Sequence, residues 1–202
     1  MKKESTGAPT AAGGLTGLEA LLKAQAGETM PPVERWNPPY CGDIGLEIRA
    51  DGTWFYQGSP IGRKPLVKLF SSVLRRDPDG GHFLVTPVEK VDVKVADAPF
   101  LAVEMETQGE GPNRVLTFRT NVDDVVRCGA AHPLRFLAER VSGGLKPYLL
   151  VRGRLEALVT RALYYDLVEL ADIGPDGSTF GLWSDGAFFP LEAEREAPFV
   201  TP

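Results

Sequence analysis

Histidine and cysteine are scarce, two of each in 202 residues. They are too few and too scattered to complete a usual zinc cluster, so no metal and no other cofactor is expected. Cys41 and Cys128 show no metal-type spacing, which suits a reduced, cytoplasmic chain. No apolar run reaches the roughly 20 residues needed to span a bilayer. The N-terminus lacks the apolar core of a secretory signal, so no membrane partner is expected. An excess of positive charge is missing too, because 22 Lys and Arg face 27 Asp and Glu for a net charge of −5. Nothing then offsets phosphate repulsion across the surface, which argues against a nucleic-acid partner while leaving room for a local basic pocket. The words GxxxxGK[ST], GxGxxG after a strand, and HExxH are absent. That removes P-loop NTP hydrolysis and dinucleotide redox chemistry from consideration.

What is present is an ordinary globular composition, 43% hydrophobic and 24% charged. The organising stretch is RKPLVKLFSSVL at 63–74, where Leu66, Leu69, Phe70, Val73 and Leu74 recur at helical spacing. A similar phrase, RGRLEALVTRAL, returns at 152–163, a step of 89. Each is followed by Pro-Asp-Gly, at 78–80 and at 175–177, now with a step of 97, so the second copy carries eight extra residues. The pattern reads as an internal duplication.

In chain order, 1–14 is a polar tail that cannot offset its ordering entropy. A leading amphipathic helix, with Leu15, Leu18, Leu21 and Leu22, opens an N-terminal unit over 15–96. In that unit Ile44, Leu46 and Ile48 alternate with charge and turn at Asp51-Gly52 into Trp54, Phe55 and Tyr56. A further strand is expected over 83–95. There Glu89 falls on the apolar phase, so either Pro87 makes a bulge or a carboxylate points inward. The C-terminal unit, 97–192, opens with a hairpin in which Leu101, Val103 and Met105 face in and Leu116, Phe118 and Thr120 return. A helical or irregular turn through Arg140 follows, then a second long helix over 154–171 and a hairpin around Asp185-Gly186. Residues 193–202 read as a frayed tail. The expected class is α+β: antiparallel hairpins closed by an amphipathic helix, twice.

Several polar residues invite a functional reading. Arg63 and Arg152, at matched helix entrances, could present forked donors to one anion, or could be structural arginines. Thr86, Glu89 and Lys90 cluster where proline interrupts a strand; the alternative is a solvated face with a weak ion pair. Thr120 and Asn121 could read a base or ribose edge, or cap a turn. His132 and Arg135 flank Pro133-Leu134 in a loop where both could meet an anion. Trp54 and Tyr56 could stack on a ring or fill the core.

The words Trp36-Asn37-Pro38, Asp51-Gly52-Thr53-Trp54-Phe55-Tyr56, Thr86-Pro87-Val88-Glu89-Lys90, Thr120-Asn121 and His132-Pro133-Leu134-Arg135 resemble those of a bacterial family known as domain of unknown function 1285. The likeness covers roughly 33–191. It implies a duplicated core, a second unit superficially like a pleckstrin-homology fold, and a nucleotide-like ligand between the units with a role in signal transduction. It implies no catalytic mechanism. The expectation is therefore a non-catalytic module binding a small anionic molecule through Arg63, Thr86, Glu89, Lys90, Thr120, Asn121, His132, Arg135 and Arg152. A protein-interaction scaffold with a possible protein partner is the alternative, followed by an enzyme using His132 and Glu89 as acid and base.

Overall fold

The computed structural model describes residues 30–139 and 143–194. It divides into two compact units, one of 1–49 with 53–95 and the other of 50–52 with 96–202. The leading helix and the tail expected over 1–14 lie outside the described residues.

In the first unit, β1 (Leu46–Ile48) and β2 (Trp54–Tyr56) form the expected hairpin, with Gly52 at φ 78° in its turn. Leu46 and Ile48 are buried to either side of Glu47, as alternation requires. After β3 (Ser59–Pro60) comes α1 (Lys64–Ser72), with Pro65 in its first turn. Its stripe seats Phe70 on Trp54, ring centroids 6.2 Å apart, so Trp54 is core rather than a stacking platform. Ser71 and Ser72 turn their hydroxyls back onto the Lys68 and Leu69 carbonyls, at 2.8 and 2.7 Å, and the helix stops there. The chain continues through β4 (Leu74–Arg76), β5 (His82–Val85) and β6 (Lys90–Val95), giving one six-stranded sheet in the order β3-β2-β1-β6-β5-β4. The β1–β6 pair is parallel. A strap of residues 33–42 runs ahead of β1 along the same neighbour, with Lys90 N–H donating to Pro39 O (3.0 Å) and Asp92 N–H to Gly42 O (3.1 Å).

The second unit has β7 (Phe100–Gln108), β8 (Val115–Thr120), β9 (Val125–Arg127), β10 (Leu134–Ala138), β11 (Leu145–Arg152) and β12 (Leu155–Val159). They form a six-stranded sheet in the order β10-β11-β12-β7-β8-β9, in which β12 and β7 are parallel. Then α2 (Arg161–Glu169) leads to a three-stranded sheet of β13 (Asp172–Ile173), β14 (Phe180–Ser184) and β15 (Ala187–Pro190). Asp185 and Gly186, at φ 51° and 74°, make the expected tight turn between the last two.

The fold is mostly β, 44% strand and 15% helix, and does not consist of hairpins each closed by a helix. The α+β expectation is thus corrected, together with the step of 89 on which the duplication was read. The step of 89 laid α1 over 152–163, which is the end of β11, a tight turn with Gly153 at φ 53°, and β12. Leu155, Ala157 and Val159 are buried with period two; taking Leu155, Leu158 and Val159 at helical spacing left out Ala157. The helix begins only at Arg161. Residues 83–95 are two strands rather than one, and 134–138 is a strand where a helical turn was expected. In β7 the deeply buried side chains are Phe100 and Ala102, out of phase with the expected Leu101 and Val103, and a bulge between Ala102 and Glu104 resets the register. Of the expected frayed end, Glu194 is held by its N–H on Phe136 O at 2.7 Å.

Candidate functional site

Most of the sequence-selected polar residues are spent on holding the chain. Thr86 is fully buried, and its hydroxyl accepts the N–H groups of Val88 (3.3 Å) and Glu89 (3.1 Å) while its own N–H donates to Glu89 O (2.9 Å). Residues 86–89 therefore close the β5–β6 hairpin, and neither a bulge nor an inward Glu89 carboxylate is needed. Lys90 reaches Asp77 at 2.6 Å and lies 3.9 Å over the Phe83 ring.

Asp77 also accepts from Arg75 Nε at 2.6 Å, and Arg75 is 8% exposed. Its Nη1 donates to the carbonyls of Val33 (2.9 Å) and Trp36 (2.7 Å), so this cluster staples the strap to β4. Burial opposes ionisation of Asp77, but Arg75 and then Lys90 outweigh it and hold the carboxyl below its usual range. Neither Arg75 nor Asp77 was singled out from sequence. The Arg-x-Asp spacing at 75 and 77, facing Lys90 across a hairpin, is the signal that could have found them.

Arg63 is exposed at the N-cap of α1. Arg152 is not its counterpart, since it ends β11, pairs with Asp124 and lies over the Phe100 ring. The structure does bring Arg152 close to Thr120 and Asn121, because Asp124 N–H donates to Thr120 Oγ1 at 3.0 Å in the same turn. Asn121 Oδ1 accepts the Leu101 N–H at 3.0 Å, a capping role. Arg135 grips Glu156 through Nε and Nη2 across the sheet. His132 Nδ1 lies 3.1 Å from Leu150 O, and a carbonyl only accepts, so that nitrogen carries the proton. Cys128 is buried, and burial pushes its thiol up to about 12, which leaves it unsuited to pair with His132 as a nucleophile.

A pocket lies elsewhere, and none of the nine selected residues lines it. The transition from β12 to α2 builds it: Thr160, in extended backbone, is the N-cap of α2, and its N–H donates to Ala102 O at 3.1 Å. Arg161, Tyr164 and Tyr165 then face Lys146, Pro147 and Leu158 around about 290 Å³. The Tyr164 and Tyr165 rings are 6.1 Å apart at 51°. Lys146 is anchored to Asp97 at 2.9 Å, with Glu139 farther off at 3.8 Å. Asp97 also accepts the Tyr148 hydroxyl at 2.7 Å, and Tyr148 is raised by its burial and then by that bond. Arg161 Nε donates to Tyr165 Oη at 3.2 Å, and no carboxylate lies within ion-pair distance of it among the described residues. The pocket thus joins two cations, the Glu139 carboxylate and two phenol rings to an apolar floor. It was missed from sequence because the helix carrying three of its residues was started seven residues too early, at 154 instead of 161.

A wider hollow of about 650 Å³ involves Glu110, Arg114 and Asp172. There the Arg114 guanidinium donates to Leu170 O and so supplies the cation that the last turn of α2 lacks.

Two β-rich units, with a parallel pair inside each six-stranded sheet, define the class of protein. A domain of unknown function, the DUF1285 N-terminal domain, matches residues 31–98, and the C-terminal domain of the DUF1285 protein of unknown function matches 99–191. The chain belongs to the DUF1285 family. It is similar to a DUF1285 family protein from Silicibacter pomeroyi DSS-3, with 47% identity, a TM-score of 0.80, and coverage of 88% of this chain and 95% of that one. A DUF1285 family protein from Shewanella baltica OS155 is 30% identical with a TM-score of 0.51, over 64% of this chain and 94% of that one. No curated protein matches.

Proposed function

We propose that this protein is a non-catalytic binder of a small anionic molecule bearing a planar ring, of which a nucleotide is one form. The site is the pocket between α2, β11 and β12. The observation that carries the reading is Arg161, a cation with no carboxylate within ion-pair distance among the described residues, set beside Tyr164 and Tyr165 in a pocket of about 290 Å³ that the Glu139 carboxylate also lines. That volume is near the lower end for small-molecule sites, about 300 Å³. An arginine offers two parallel donors to a phosphate or carboxylate, and phenol rings offer a face to a flat ring. A role in signal transduction follows only if the ligand binds two arrangements of the protein with different affinity.

Thermal-shift titration with AMP, cyclic AMP and adenosine tests the reading. The two phosphates should raise Tm and adenosine should raise it much less. A ligand at about 100 times its Kd stabilises by about 2.7 kcal/mol, an effect easily resolved. Arg161→Ala should remove the phosphate effect while leaving the unliganded melting point in place. No shift at millimolar nucleotide, or an undiminished shift in Arg161→Ala, overturns the proposal.

A further inference from the structure

Of the large apolar side chains exposed among the described residues, four stand between positions 165 and 180: Tyr165 (55% exposed), Val168 (44%), Ile173 (49%) and Phe180 (62%). Tyr165 and Val168 are three apart on α2 and share a face. Ile173 and Phe180 are direct partners across the β13–β14 pair. Among the α2 residues only Leu167 is buried. Acids are interspersed with the apolar side chains along the chain: Asp166, Glu169 and Asp172 are all exposed. The basic residue in the same stretch is Arg161, whose Nε is engaged by Tyr165.

We propose that these four exposed apolar side chains, with the acids interspersed among them, dock a basic, aromatic-bearing segment of another protein. Opposite charge beside apolar side chains is the arrangement that steers and then seats such a segment. The first unit shows what satisfies an aromatic side chain in this position. Phe83, one residue into β5 as Phe180 is at the head of β14, is only 9% exposed. It is covered by the Lys90 ammonium at 3.9 Å over its face and by the edge of Tyr40 at 6.4 Å. A cation and an aromatic edge are what a basic aromatic segment brings to Phe180. The contact is through side chains and not strand addition. The Ile173 N–H already donates to Asp172 Oδ1 at 2.8 Å, and the Ile173 carbonyl accepts from Trp183 Nε1 at 3.3 Å. An anionic membrane is disfavoured, because the interspersed carboxylates repel its headgroups.

The test uses the full chain and a short fluorescein-labelled peptide of alternating lysine and tryptophan, followed by anisotropy. Binding should saturate, weaken as salt rises, and be lost when glutamate replaces lysine in the peptide. Val168→Ser with Phe180→Ser should weaken it about tenfold or more. Asp166→Asn with Glu169→Gln should also weaken it and flatten the salt dependence; these surface changes should leave the melting curve in place. Tyr165 stays untouched, so nucleotide shifts should be the same in all variants, and the pocket reading stands or falls separately. The proposal is overturned by equal binding of the glutamate peptide or by no saturation. It is also overturned if Phe180→Ser instead abolishes a concentration-dependent dimer in sedimentation, or abolishes binding to phosphatidylglycerol vesicles.

Discussion

Two stretches of the molecule share a local order and end in different states. In each, a nine-residue helix leads into a short strand, a Pro-Asp-Gly turn and two further strands, the three pairing antiparallel in order. The helices start at 64 and 161 and the turns at 78 and 175, the same step of 97, so no extra residues separate helix from turn in the second. The first stretch is completed by other parts of its unit. β6 pairs onward to β1, the strap lies along it, and Arg75, Asp77 and Lys90 tie the strap down. In the second, β13, β14 and β15 form a sheet of three strands, and positions 172 and 174, which stand where Arg75 and Asp77 do, hold Asp and Gly. Phe83 is consequently covered and Phe180 is not. A shared order of elements does not decide what a face buries; the pieces that arrive from elsewhere in the chain do.

Three substitutions or conditions break or sharpen that contrast. The largest effect belongs to Phe70→Ala, which empties a fully buried site against Trp54 and should cost about 3–5 kcal/mol in urea unfolding. Phe180→Ala should stay within about 0.5 kcal/mol of the parent, as exposed positions do. Equal losses would show that the second stretch is covered after all.

Next is Arg75→Ala, which removes a buried guanidinium, leaves the half-buried Asp77 carboxylate beside one remaining cation and frees the Val33 and Trp36 carbonyls. A loss of about 3 kcal/mol is expected. Asp172→Ala, at the corresponding place, should lose less than about 0.5 kcal/mol. Proteolysis within 33–42 should quicken in the Arg75 variant alone.

The smallest effect is on pH. Asp77 is depressed in the folded protein, so its stabilisation is fully present above the unfolded carboxylate value of about 3.9 and is lost as pH falls through the lower folded value. Unfolding between about pH 5 and 2 should therefore show a steeper acid limb in the parent than in Asp77→Asn. Identical limbs would mean that the ion cluster does not couple to folding.

How much was legible from the sequence depended on the range of the forces involved. Leu116, Phe118 and Thr120 alternate strictly and are all buried in β8, because one strand with one wet face imposes period two by itself. The hairpins at Asp51-Gly52 and Asp185-Gly186 follow from φ preferences of two residues. The α1 stripe was legible for the same local reason. Residues 155–159 were not, because a short apolar run fits both periods and only pairing with β11 and β7 selects a strand. The polar residues were the least legible. Thr86, Asn121 and Arg135 have the chemistry to meet a ligand, yet Glu89 N–H, Leu101 N–H and Glu156 claimed them in the fold.

The sequence by itself determined the turns, the alternation of the clearest strands and the amphipathic first helix, since these rest on backbone preferences and on neighbours within a few residues. It also carried the words that mark the family. Only the tertiary structure decided that the fold is mostly β, that Arg75 and Asp77 are a staple, and that Arg161, Tyr164 and Tyr165 meet Lys146 around a pocket. A side chain's role is fixed by the partner it reaches, and those partners lie far along the chain: Trp36 for Arg75, Asp97 for Lys146. No local pattern records which distant group arrives.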